Sequence, residues 1–397
     1  MPNRVGLEEA LSICCRAVSP LEREAVELSA AGGRVLAGDV QARHDMPPFN
    51  RSRLDGYAIT REDLTRLEQG ERLRLNITGV LPAGGVTGQP LPAGESVHIM
   101  TGASLPVGAA AVAGQEMCSC RGDYVEITAS AILPNRGVEL RGRCWGRGDL
   151  LLEQGEKIGP GKISKLAADG VRQEEVHRLP RVALVNTGDE LLEPGEPMQP
   201  GKVYSTSLAL QAVVRDSGCE VFSPPAAVTD QVDTLTRTMA SFLDSCDLLL
   251  IQGGSGGGRW DLARQALQSL GAESLFSGLE LLPGSMTVAR HGKVLLVNLP
   301  GNPKGAVLLF DTLVRPCIKK MQGAPEFYPT ILELALDNEV VNIRYRTRSL
   351  RRGQLVLQKD RLRVATEDDP DAGIRPVIVD LLPGQGKAGD VVKVILY

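Results

Sequence analysis

RVALVNTGDEL (residues 181–191), CDLLLIQGGSGGG (246–258) and KVLLVNLPGNP (293–303) share one layout. Each is an unbroken apolar run that ends in a turn of Gly, Pro and polar residues. A strand apolar on both faces has to be covered on both faces, which is the condition of a parallel sheet. Helical stretches separate the runs: Leu208 to Ser217, with Gly218 as its stop, then Asp233 to Phe242, and AVLLFDTLVRPCIKKM (306–321) after the last run. GCEVFSP (218–224) adds a further strand. Strand–helix alternation predicts a parallel α/β unit over residues 178–322 with helices on each side.

Outward from this unit the pattern changes. Leu7, Ala10, Leu11, Cys14 and Cys15 recur at three- and four-residue spacing, so the chain opens with an amphipathic helix. The apolar-acidic stretch from Leu21 to Val35 is interrupted by a turn at Gly32-Gly33. Residues 46–57 (MPPFNRSRLDGY) contain two prolines and read as a loop. Between about residues 70 and 140, short β-type runs alternate with Gly/Pro turns, which predicts a small β unit over 46–139. Residues 1–45 and 140–177 are grouped as an N-terminal linker unit. After Gln322-Gly323, TILELALDNEVV, GQLVLQKDRLRVAT and DVVKVILY predict a small β-barrel or sandwich over 323–397. The expected fold class is therefore multidomain α/β plus β.

Composition narrows the function. The chain has 397 residues, a net charge of −4, and only two Trp, six Tyr and six Phe. It carries neither the basic stripe nor the aromatic platforms of a nucleic-acid binder. It has no apolar run long enough to span a bilayer, and its first residues lack a signal-peptide layout, so a cytoplasmic protein is expected without membrane association. The eight cysteines (Cys14, Cys15, Cys118, Cys120, Cys144, Cys219, Cys246, Cys317) and four histidines lack zinc-knuckle spacing. Most of the cysteines read as small buried apolar residues.

In a parallel sheet, ligands sit outside the carboxyl ends of the strands, and three loops leave such ends here. Asn186-Thr187-Gly188-Asp189-Glu190 places two carboxylates side by side. They suit a helix N-terminus as well as they suit metal or acid–base chemistry. Gly253-Gly254-Ser255-Gly256-Gly257-Gly258 lets backbone N–H groups approach an anion, with Asp261 at the next helix start. It is not a Walker A loop, because no Gly-Lys-Ser/Thr follows. The plain alternative is a surface loop, with Asp261 only a helix-start charge. Pro300-Gly301-Asn302-Pro303 is a rigid turn that alone reads as structural. Together the three loops predict a pocket rich in backbone donors and edged with carboxylates. Such a pocket suits a phosphorylated ligand with a divalent cation.

PPFNRSRLDGYA (47–58), HIMTGA (98–103), LVNTGDEL (184–191), GGSGGGRWD (253–261) and NLPGNP (298–303), in this order, resemble the molybdopterin molybdenumtransferases. These form the MoeA family, which includes the gephyrin E domain. The resemblance implies an elongated homodimer of four units: an extended linker domain, a small β domain, a parallel-sheet molybdopterin-binding domain and a C-terminal β-barrel. It implies insertion of molybdate into adenylylated molybdopterin with release of AMP, aided by Mg2+, with a molybdopterin adenylyltransferase as a possible partner. By this resemblance Asp55, Thr101, Asp189, Glu190, Asp230 and Asp261 are the catalytic set, and Glu190, Asp230 and Asp261 the cation ligands. Thr187, Gly188, Gly253, Gly254, Ser255, Gly256, Gly257, Pro300, Gly301, Asn302 and Pro303 line the ligand.

The chain also departs from the family pattern. Leu282-Pro283-Gly284-Ser285-Met286 stands where a Lys-Pro-Gly-Lys-Pro run is expected, so two oxyanion-holding lysines are gone. Cys144-Trp145-Gly146 replaces a Gly-Glu-Asp motif, and Tyr204-Ser205-Thr206-Ser207 a Tyr-Asp-Ser/Thr-Asn stretch. Arg259, Lys304 and Arg290 are the candidate cations to replace the lysines. The alternatives to a working insertase are a tungstate-preferring one, and an impaired paralogue that carries molybdopterin or scaffolds a partner protein.

Overall fold

The Leu248–Gln252 strand is buried along its whole length, and its neighbours divide their side chains between two cores. Val182, Leu184, Leu248, Leu250, Leu295 and Val297 enter one apolar cluster, whereas Ala183, Val185, Leu249, Ile251 and Leu296 enter another. This odd–even split is what a pleated strand covered on both faces produces. The computed structural model describes residues 4–133, 135–254, 261–340, 346–358, 361–366 and 376–397. The central sheet has six strands in the order Glu220–Phe222, Arg181–Asn186, Leu248–Gln252, Val294–Leu299, Thr287–His291, Glu273–Ser277. The first four are parallel and the last two run antiparallel to their neighbours.

Helices Val232–Ala240 and Leu262–Ser269 cover one face through Leu235, Met239, Ala263, Ala266 and Leu267. On the other face lie Ser207–Asp216, the Pro303–Leu309 helix with its continuation to Met321, and the opening helix Leu7–Arg16. The last of these differs from the grouping of residues 1–45 with the linker unit. Val5, Leu7, Ala10, Cys14, Cys15 and Val18 are buried in the core of the α/β unit. The apolar spacing shows that the helix has a face to bury but not what covers it.

Arg23–Glu27 pairs antiparallel with Gln173–His177, and Val40–Gln41 with Leu150–Leu152, so two distant stretches build one linker unit. Its core holds Leu36, Ile158, Leu166 and Val176, with Trp145 packed against it. The small β unit is a six-stranded mixed sheet in which Leu73–Leu81 and Glu95–Ile99 run parallel. The C-terminal sheet has five antiparallel strands, ordered Thr330–Ala335, Val391–Leu396, Pro376–Leu381, Ser349–Gln358, Arg361–Thr366. It curls until its two edges meet, the Asp337 N–H donating to the Val364 carbonyl at 2.8 Å.

Buried charge holds this sheet to the α/β unit. Asp311, on a π-helical turn at Phe310–Val314, accepts from Arg315 at 2.8 Å and from Arg352 of the C-terminal sheet at 2.9 Å. Arg348 donates to Asp380 at 2.6 Å and to Glu8 of the opening helix at 2.7 Å. The Leu282 N–H donates to the Arg348 carbonyl at 2.9 Å, and the Leu350 N–H to the Leu282 carbonyl at 2.8 Å. Pro283, the next residue, packs against Gly305. One of the two expected lysine positions, Leu282, is therefore a docking point between units, and the other, Ser285, is exposed.

Two outcomes follow from this clamp. Asp311→Asn removes the carboxylate that pairs with Arg352 and the nearer of the two that pair with Arg315, and lowers unfolding free energy by roughly 3–5 kcal/mol in urea denaturation. The hydrogen bond from Arg348 holds the Glu8 carboxyl down at about 2. A carboxyl depressed on folding adds stability above its unfolded pKa and loses it as pH falls towards the folded one. The margin of the wild type over Glu8→Gln in urea melts is therefore present at neutral pH and closes between roughly pH 5 and pH 2.

Candidate active site

The parallel sheet orders its loops so that those after Arg181–Asn186, Leu248–Gln252 and Val294–Leu299 are neighbours. Between them lies a cavity of about 180 Å³. Thr187, Gly188, Glu190, Asp230, Gly253, Gly254 and Gly301 line it, together with Asn186, Leu191, Thr206 and Gln252.

The acidic loop is tied to the 228–230 segment by a short ladder. The Gly188 N–H donates to the Val228 carbonyl at 3.2 Å, and the Val228 N–H to the Asn186 carbonyl at 2.7 Å. Asp230 then sits opposite Thr187, whose hydroxyl donates to its Oδ1 at 2.8 Å. The Asp230 N–H donates to the Asp189 carboxylate at 3.0 Å. Asp189 faces a neighbouring cavity of about 350 Å³ that Lys202 also lines, and the Lys202 Nζ donates to the Asp189 carbonyl. The two cavities adjoin at Gly188 and Leu191.

Gly253 has φ of +100°, and a Cβ there would stand 2.4 Å from the Thr187 carbonyl oxygen. No other residue type fits this close approach of two loops. Ser255, Gly256, Gly257, Gly258, Arg259 and Trp260 lie outside the described residues. Asp261 caps the Leu262–Ser269 helix, accepting from the Arg264 N–H at 3.2 Å, and burial pushes its carboxyl up. It does not line the cavity. Asn302 likewise caps the Pro303–Leu309 helix, accepting from the Lys304 N–H at 3.0 Å, with Pro303 in the first turn. Pro300, Asn302 and Pro303 shape the turn, and only Gly301 of that loop reaches the cavity.

Asp55 and Thr101 come together on the small β unit, away from this lining. The Thr101 N–H and hydroxyl both donate to Asp55 Oδ1 at 2.8 Å, holding its carboxyl below the usual carboxylate range. Among the described residues, no group of three His, Cys, Asp or Glu side chains is placed to hold a metal ion. Glu190 and Asp230 share one cavity, and Asp261 caps its helix through one carboxylate oxygen. Two carboxylates suffice for a magnesium ion, which usually takes one or two from the protein and the rest from substrate phosphates and water.

Of the expected replacement cations, Arg290 lies on the antiparallel part of the sheet, paired with Glu273 at 2.7 Å. Lys304 is exposed in the first turn of its helix. Trp145 packs on the linker core. Gln252 was not among the expected residues. Its signal is a lone amide that closes the run LLLIQ, otherwise apolar and wholly buried.

The chain is similar over residues 5–170 to the MoeA N-terminal region (domain I and II) and over 183–320 to the probable molybdopterin binding domain. It is 32% identical over 330 residues to a molybdopterin molybdenumtransferase of Nostoc sp., covering 81% of this chain and 75% of that one. The same-named protein of Staphylococcus epidermidis is 29% identical over 402 residues, covering 99% and 95%. A molybdopterin biosynthesis MoeA protein from Pyrococcus horikoshii superposes with a TM-score of 0.80 at 25% identity, over 99% of each chain. With these likenesses spanning the linker, β and α/β units at once, the chain belongs to the MoeA family of molybdopterin molybdenumtransferases.

Proposed function

We propose that the chain inserts molybdate into adenylylated molybdopterin and releases AMP, a step of molybdenum cofactor biosynthesis. The observation that carries this reading is the single cavity in which Thr187, Gly188, Glu190, Asp230, Gly253, Gly254 and Gly301 meet at the edge of a parallel sheet. The glycines bring backbone close to a ligand, and the carboxylates give it a negative wall.

In this reading Glu190 and Asp230 hold the Mg2+ ion, and Asp261 keeps its helix in place. Held there, the ion would supply neutralisation of phosphate charge and polarisation of the P–O bond that breaks. Thr187 donates to one Asp230 oxygen and so orients the other. Thr101 donates twice to Asp55 and holds its carboxyl below the usual carboxylate range, which suits an acceptor or base. Its place on the small β unit suits a cleft completed by a second copy, which supports a homodimer. Among the described residues no helix is long and apolar enough to cross a membrane, and cytoplasmic work beside a molybdopterin adenylyltransferase fits a substrate that arrives adenylylated. The carrier reading rests on the lost lysines, the replaced Gly-Glu-Asp motif and the altered glycine loop. Leu282 instead joins the α/β unit to the C-terminal sheet, and no observation favours a carrier.

The test is AMP release from adenylylated molybdopterin by the purified protein with Mg2+, with and without molybdate. Molybdate-dependent release is expected; tight binding without turnover on molybdate or tungstate overturns the reading. Asp230→Asn slows the release about 10–100-fold, the worth of one charge-assisted contact. Asp261→Asn, an equally good helix cap, leaves the rate essentially unchanged. In Thr101→Val the Asp55 carboxyl titrates at higher pH than in the wild type but still below its usual range, because the backbone N–H bond remains; NMR titration of the side-chain carboxyl reads this shift.

A further inference from the structure

Gln252 closes the Leu248–Gln252 strand and is 2% exposed. Its Nε2 donates to the Gly301 carbonyl at 3.4 Å, which sets the way the amide points. Among the described residues, its Oε1 is buried without a hydrogen-bond partner. The residue lines the 180 Å³ cavity between Thr187, Asp230 and Gly253. A buried carbonyl left unpaired is costly, and an apolar side chain of the same volume would remove the cost. Such an atom at the wall of a ligand cavity is an acceptor waiting for a donor.

The chemistry of that donor is constrained. The Gln252 amide oxygen accepts and cannot donate, so it offers no bond to phosphate or molybdate oxygens, which reach this cavity through the cation held by Glu190 and Asp230. An N–H is what fits. The 2-amino-4-oxopyrimidine edge of a pterin offers adjacent N–H donors to this acceptor-rich wall. Adenine offers one exocyclic amine between ring acceptors, a poorer match. We propose that Gln252 is the pterin-reading residue: its side-chain carbonyl accepts an N–H from the pyrimidine edge of molybdopterin and so fixes which end of the cavity takes the heterocycle. This assignment rests on the functional reading above and deepens it.

Gln252→Met keeps the volume and removes the acceptor. Molybdopterin binding, followed anaerobically by pterin fluorescence, is expected to weaken about tenfold, the worth of one hydrogen bond to a buried acceptor. AMP binding by calorimetry is unchanged, and the thermal midpoint moves little, because the variant deletes an unpaired acceptor together with only the long bond to the Gly301 carbonyl. In turnover, KM for adenylylated molybdopterin rises with little change in kcat. Equal molybdopterin affinity in the two proteins overturns the assignment. So does a loss confined to AMP, which would make adenine the donor. A lowered midpoint with both ligands weakened assigns Gln252 a structural role and also overturns it. If the wild type binds no molybdopterin, the functional reading itself fails; if the wild type binds and the variant binds equally, only the Gln252 assignment does.

Discussion

Everything in this molecule follows from four parallel strands that are covered on both faces. Because alternate side chains of Arg181–Asn186, Leu248–Gln252 and Val294–Leu299 enter two separate apolar cores, the strands carry little polar chemistry along their length. Polar groups collect where the strands end. Asn186, Gln252 and Gly301 stand at or just beyond those ends, and all three line one cavity. The burial that stabilises the sheet is thus also what concentrates the site at its edge.

A second constraint acts at the other units. The Leu7–Arg16 helix and the C-terminal sheet both dock on the same side of the α/β unit, and ion pairs join them through Arg348, the buried Asp380 and the exposed Glu8. Asp311 does the same through Arg352. The Leu282 loop lies within this junction, bonded through its backbone to residues 348 and 350. A lysine at Leu282 would bring a charge to a half-buried docking point already occupied by ion pairs. The exchange of lysine for leucine there has a structural account that does not pass through the ligand.

Much of the site was legible because it is local. The apolar runs and the turns after them read directly as buried strands and ligand-facing loops, and Gly253 is required by a close backbone approach that its setting announces. Asp261 carried its plainer reading in the sequence as well, since an aspartate before LARQALQS is a ready helix cap. Other features were invisible for physical reasons. Arg23–Glu27 pairs with Gln173–His177 across almost the whole length of the linker and β units, so neither stretch predicts its partner. Gln252 looks like an ordinary strand end. Its unpaired oxygen exists only because Gly301, from a different strand, takes the amide nitrogen.

The sequence by itself determined the class of the fold, the strand ends whose loops line the cavity and the family to which the chain belongs. Those are written in local periodicity, in glycine and proline placement and in the order of short motifs. The tertiary structure decided which acids act together: Glu190 and Asp230 share a cavity, Asp189 turns to the adjoining one, Asp261 caps a helix, and Asp55 stands with Thr101 on another unit. The reason is that sheet order, not distance along the chain, sets which loops meet, and sheet order is settled by packing between residues far apart in sequence.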